Sequence, residues 1–314
     1  MPTRSFHEEI AANRRFSLML TGLVTFILVA LGLTIGAAIG QPLIGLGIAV
    51  FLAFIQIMVL WTAGSSLALL DAGATRIEHS DNPMLFNVVE EMSIAAGQPM
   101  PKVYVIESDS MNAFATGMSP DKSAIAVTRG LLNHLNRYEL QGVVAHEMSH
   151  IRNSDTRMMI TVAVMVGSIV MLSDLFLRGF LRAGFRGRGG GGKKGGAEAI
   201  ILIAALVFAL LALIIAPMLQ FAVSRKRELL ADASAVELTR YPSALANALK
   251  KLTYENTPFK EAGKAFQHFY IVNPARPVSG GGGLYSTHPP IEERIRRLQE
   301  MALEYPEPEQ EKRK

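Results

Sequence analysis

Residues 43–63, LIGLGIAVFLAFIQIMVLWTA, contain no charged side chain, and they form one of four long apolar runs. Residues 16–40 and 199–223 are likewise uncharged, and residues 158–177 carry only Asp174. A helix of about 20 apolar residues spans a hydrocarbon core of about 30 Å, so each run is long enough to cross a bilayer. A cleaved leader does not account for the first run, because it is long and a second follows at once. Gln41-Pro42 alone separates the two, which predicts a helical hairpin. An integral membrane protein with about four hydrophobic membrane helices is therefore expected, although runs three and four can either cross or dip into the bilayer.

Gly32, Gly36 and Gly40 recur every four residues, a spacing that lets a partner helix approach closely and is also frequent in membrane helices generally. Arg14 and Arg15 mark the N-terminal flank as cytoplasmic, so the segment after the hairpin, 64–157, is expected on that side. The net charge of +4 is uneven: Arg178, Arg182, Arg186, Arg188, Lys193 and Lys194 lie in one acid-free, glycine-rich segment, and the remainder is slightly acidic. That pattern argues against nucleic acid and for a local patch meeting anionic lipid headgroups. If runs three and four both span, this patch lies on the non-cytoplasmic side, against the positive-inside tendency.

Four segments are expected: an N-terminal transmembrane hairpin (1–64), a first soluble part (65–157), a second hydrophobic hairpin with the basic loop (158–223), and a second soluble part (224–314). Within the soluble parts, LFNVVEEMSIAAG (85–97) has helical spacing and a glycine stop. KVYVIE (102–107), NAFATG (112–117) and SAIAVT (123–128) read as short strands of a small antiparallel sheet. LNRYELQGVVAHEMSHIRN (135–153) reads as a helix with Asn136 as its cap. The fold class expected is α+β, a mainly helical, membrane-anchored domain with a small antiparallel sheet and about four hydrophobic membrane helices.

The stretch VVAHEMSHIRNSD carries the chemistry. On a helix His146 and His150 share one face and can point at one ion, with Glu147 close enough to reach a water there. Val143, Val144, Ala145, Met148 and Ile151 wrap the helix in apolar groups, so both imidazoles should be buried and need partners. The chain has no cysteine, so a zinc site must use His and carboxylate ligands. The class that takes a third histidine six residues after the second is excluded, because that position is Thr156. In SRKRELLADASA (224–235), Glu228 and Asp232 lie four apart and could supply a ligand and a partner for a histidine's far nitrogen. Spacing alone leaves an ordinary polar helix face equally open.

HEMSH, SRKRELLAD, NAFATG and STHPPIEERIRRL together, in their order along the chain, resemble the HtpX-type membrane zinc metalloproteases of bacteria, relatives of the CAAX prenyl proteases. The resemblance covers nearly the whole chain and implies a zincin-like metalloprotease domain. It implies His146, His150 and Glu228 as ligands of one Zn2+ and Glu147 as catalytic base. From the HPP motif it implies His288 as a helper at the oxyanion; His288 can equally cap the helix that follows. Asp232 and Arg294 are expected behind the ligands. Asn112, Ala113 and Phe114 open an edge strand that could pair with an extended substrate, or lie buried beneath a loop.

The resemblance also implies a stress-response role in protein quality control at the bacterial inner membrane, with the catalytic domain facing the cytoplasm. It points to membrane-protein substrates and to cooperation with other membrane proteases. Three rivals remain. A narrow CAAX-type peptidase would need more membrane segments for its chamber. A non-catalytic zinc scaffold is disfavoured by Glu147. A transporter would need ionisable residues along the apolar runs.

Overall fold

Two long helices carry the first two apolar runs. In the computed structural model, which describes residues 6–38, 40–165, 167–168, 203, 225–254, 266–272 and 290–303, α1 spans Phe6–Ala38 and α2 spans Pro42–Thr62. The glycine spacing has a steric cause: a Cβ on Gly32 would lie 2.3 Å from the Ala49 Cβ, and one on Gly36 would lie 2.9 Å from the Gly45 Cα. Gly40 has φ +78° and a Cβ there would meet no neighbour, so it serves the turn rather than the helix contact. Stretches of 23 and 21 residues in α1 and α2 are long and apolar enough to cross a membrane. Met19, Phe26, Leu43, Phe51 and Phe54 on these helices are each more than 60% exposed, as lipid-facing side chains are. Together with residues 161–165, 167–168 and 203, residues 14–38 and 40–64 make one structural unit.

The other unit takes residues 6–13, 65–160 and the described residues from 225 onward. It contains α3 (Gly64–Asp71, all but its first residue), β1 (Ala74–Arg76), α4 (Pro83–Ala96), β2 (Lys102–Ile106), β3 (Ala113–Gly117), β4 (Ser123–Thr128), α5 (Arg129–His134), α6 (Arg137–Arg152), α7 (Arg225–Thr239), α8 (Pro242–Tyr254) and α9 (Ile291–Ala302). Local signals explain the boundaries. The Asn82 side chain caps α4 and Gly97 ends it at φ 62°. Asn136 and Glu139 form a reciprocal capping box at the start of α6.

The sheet order is β1-β2-β4-β3. It is mixed, and this corrects the antiparallel expectation: β2 runs parallel to β4, while β1–β2 and β3–β4 are antiparallel. Alternation along a strand reports which face is buried and is silent on the direction of the neighbour. The core joins α4, the sheet, α6, α8 and α9, with Leu85, Val88, Ile125, Val143, Met148, Leu249 and Leu298 buried in it. Full burial of such a side chain contributes about 1.5–3 kcal/mol, so this cluster is the main source of the unit's stability. Gly142 of α6 lies against α8, where a Cβ would meet the Leu245 nitrogen at 2.9 Å.

Among the described residues two helices meet the membrane-span criterion. Residues 158–165 and 167–168 of the third run are helical. The rest of that run, the fourth run except Ile203, the basic glycine-rich loop, the second glycine run at 280–283, His288 and the charged C-terminal end lie outside the described residues.

Candidate metal centre

Helix α6 is buried on all sides from Val143 through Ile151, which places both histidines inside the unit rather than on its surface. One helical turn sets their rings perpendicular, with centroids 4.8 Å apart and Nε2 atoms 3.2 Å apart. Helix α7 brings in Glu228, whose Oε1 lies 3.6 Å from His150 Nε2 and whose Oε2 lies 3.7 Å from His146 Nε2. Ligands at about 2.0–2.1 Å around a tetrahedral zinc stand roughly 3.3 Å from one another, so these three donors fit one ion. His146, His150 and Glu228 form a group of buried donors whose ligand atoms lie within 4.8 Å of one another, a group that could hold a metal ion.

Each imidazole is turned by a carboxylate on its far nitrogen. His146 Nδ1 is 2.9 Å from Asp232 Oδ1, and His150 Nδ1 is 3.0 Å from Asp155 Oδ2. A carboxylate at Nδ1 favours the tautomer that leaves Nε2 free as an acceptor, the form a metal takes. Arg294 of α9 is fully buried and grips Asp232 with two donors, Nε at 2.8 Å and Nη2 at 2.7 Å. Its Nη1 is 3.3 Å from Glu228 Oε2, so one guanidinium serves both acids of α7.

The charges divide the site. Burial lowers the His146 pKa, and the adjacent Arg294 cation opposes protonation further. Burial acts the same way on His150, but Asp155, Glu228 and Glu147 outweigh it and hold His150 up at about 9. Burial opposes ionisation of Asp232, yet the Arg294 charge and the His146 contact keep its pKa low. Glu147, next to His146 along the chain, is buried and feels the charges of His150, Glu228 and Arg294 without belonging to the three-donor group. Burial pushes it up to about 7 against the opposing pull of His150, and the Ala115 N–H of β3 donates to its carboxylate. An acid poised near neutral pH is suited to proton transfer.

The strand-opening residues are buried. Asn112 Nδ2 donates to the Val272 carbonyl at 2.8 Å, the Ala113 carbonyl accepts from the Ile271 N–H at 3.0 Å, and the Phe114 ring packs edge-on against Phe269 and Tyr270. β3 is the edge of the sheet, and residues 266–272 run along its start. Asp155, three residues past the end of α6, is not among the residues the motifs single out. Ser154 at φ 60° reverses the chain there and returns the carboxylate to His150. An acid just past HExxH was the available signal.

The profile of peptidase family M48 matches residues 79–302. A "Protease HtpX homolog" of Listeria monocytogenes serotype 4b (strain CLIP80459) is 44% identical over 306 residues, 94% of this chain and 99% of that relative. A "Protease HtpX homolog" of Dictyoglomus turgidum is 41% identical over 297 residues, 95% of each chain. The crystal structure of S. mikatae Ste24p is similar in fold, with a TM-score of 0.53 at 22% identity, over 93% of this chain and 66% of that one.

Proposed function

The chain belongs to peptidase family M48 and is a metalloprotease, and on that premise we propose that it is a zinc-dependent endopeptidase of the bacterial cytoplasmic membrane. Its substrates in this reading are misfolded or damaged membrane proteins, cut from the cytoplasmic side alongside other quality-control proteases under stress. The observation that carries it is the convergence of His146, His150 and Glu228 beside Glu147, with each imidazole held by its own carboxylate. The HtpX names of the relatives and the apolar hairpin support the membrane setting.

His146, His150 and Glu228 would hold the zinc, and the absence of cysteine from the chain leaves this donor set as the natural one. When bound, zinc supplies Lewis acidity and lowers the pKa of water toward 7. Glu147 takes the proton of the attacking water and passes it to the leaving amine, a role its position beside the ligands and its raised pKa suit. Asp232 and Arg294 keep His146 and Glu228 oriented. His288 donates to the developing oxyanion. The substrate backbone pairs along β3; at Asn112, Ala113 and Phe114 it would have to displace residues 271–272, which hold that part of the edge here. Because Ala115 donates to Glu147, a strand lying on that edge runs next to the base.

The test is zinc content and casein cleavage by detergent-purified protein, wild type beside Glu147→Gln. About one zinc per chain in both, with cleavage only by wild type, is the expected result. Near-normal cleavage by the Gln variant would remove Glu147 from the mechanism. Zinc in both with cleavage and self-cleavage in neither would favour the scaffold reading.

A further inference from the structure

Asp155 does not hold His150 unaided. Its second oxygen, Oδ1, accepts a 2.7 Å hydrogen bond from Nδ2 of Asn13, a residue of α1 three positions before the first apolar run. The same nitrogen donates to the Asn153 carbonyl at 3.1 Å, in the turn that ends α6. The Asn13 oxygen accepts from Arg227 Nη1 at 3.2 Å, and Arg227 directly precedes Glu228 on α7. Both hydrogens and the oxygen of one buried amide, 4% exposed, are thus engaged with the two chain segments that carry the three proposed ligands.

We infer that Asn13 is a positioning residue of the metal centre: through Asp155 it fixes the orientation of His150, and through Arg227 the placement of the helix turn bearing Glu228. The inference rests on the reading of His150 and Glu228 as metal ligands.

The physical case has two parts. A carboxylate with one oxygen on His150 and the other free to swing would let the imidazole turn about its Cβ bond; a donor on the second oxygen removes that freedom. A primary amide does this without adding charge. An aspartate at position 13 would face Asp155 with a second carboxylate, and an alanine would leave Asp155 Oδ1 without this donor in a buried setting. The 2.7 Å bond to Asp155 is the shorter of the two donations Asn13 makes, and it leads directly to a ligand. The residue is part of the support that orients metal ligands, where substitutions typically cost about 10–100-fold in metal affinity or activity.

The experiment measures zinc affinity of the full-length, detergent-purified protein by competition with a chromophoric chelator, together with the visible spectrum of the cobalt-substituted form. Four variants accompany wild type: Asn13→Ala, Asn13→Asp, the reciprocal double variant Asn13→Asp/Asp155→Asn, and Thr253→Ala. The last removes a buried hydroxyl bonded to the Leu249 carbonyl, away from the site. Asn13→Ala should bind zinc roughly tenfold more weakly and shift or weaken the cobalt bands, with Thr253→Ala matching wild type in both. Asn13→Asp should bind more weakly still, and the reciprocal pair should recover part of that loss. In that pair the amide now at position 155 can donate to the carboxylate now at position 13, while its oxygen still accepts from His150. The pair decides the matter if Asn13→Ala does not fold. Wild-type affinity and spectrum in Asn13→Ala, or a reciprocal pair no better than Asn13→Asp, overturns the inference while the metal centre stands. Wild type that fails to take up zinc overturns both.

Discussion

His146 and His150 sit one turn apart on the same helix, both buried and both facing a carboxylate, yet they are held in different ways. On the His146 side the carboxylate, Asp232, is itself gripped by a buried arginine, so the group facing the imidazole is a neutralised ion pair. On the His150 side the carboxylate, Asp155, is held by a neutral amide, and the guanidinium of Arg227 stays at 4.0 Å. The consequence is a split in proton affinity: His146 is lowered, and His150 is raised to about 9. Two identical side chains four residues apart are thus set apart by what stands behind them, as buried ionisable groups generally are.

The largest effect should come from breaking the ion pair. Arg294→Met leaves Asp232 and Glu228 charged and buried without their cation, and losing one partner of a buried pair costs about 3–5 kcal/mol. Thermal unfolding of the metal-free protein should show a large drop in Tm, with Arg294→Lys intermediate because an ammonium keeps the charge but lacks the planar fork of nitrogens that reaches Asp232 and Glu228 together. An unchanged Tm would mean that Asp232 is solvated in a way its burial does not suggest. On the other side, Asp155→Asn keeps an acceptor for His150, which can shed its proton rather than remain an unpaired cation. It should cost about 10–100-fold in zinc affinity with a much smaller change in Tm. Chelator competition and calorimetry on the two variants would separate orientation from charge neutralisation; similar losses of stability in both would erase the distinction.

A pH series sharpens the same contrast. A metal takes the unprotonated imidazole, and without metal His150 keeps its proton to about 9. Zinc affinity should therefore rise with pH up to about 9, by no more than tenfold per unit from this one proton. In the metal-free protein the sign is opposite. A folded-state pKa above the unfolded value of about 6.5 contributes stability below that pH, and this is lost as pH climbs toward 9. Asp155→Asn removes one of the groups that raise His150, so both transitions should move to lower pH. Curves that coincide with wild type would mean that Glu228 and Glu147 dominate. The smallest effect should come from Asn136→Ala, which removes the cap of the helix carrying both histidines. It should cost about 1 kcal/mol of stability and shift the two sides alike.

Much of this protein was legible in local pattern. Uncharged runs of membrane length, the helical spacing that sets His146 and His150 on one face, the helix start at Asn136 and the stop at Gly97 rest on contacts within a few residues along the chain. The close helix approach at Gly32 and Gly36 joins residues of two helices, yet it was legible too, because small residues at a fixed spacing announce it. The chain's freedom from cysteine restricted the chemistry of the ligands before any geometry was known.

Tertiary structure decided the rest. It set the parallel pairing of β2 with β4, the run of residues 266–272 along the start of β3, and the double grip of Arg294 on Asp232. It also brought Asn13 of the first helix to Asp155, across nearly half the length of the chain. Periodicity and capping are read from neighbours in sequence, whereas these contacts join segments whose separation is bridged only when the whole core packs. Whether a given acid is an ordinary polar position or the partner of a metal ligand depends on which distant group the fold sets against it.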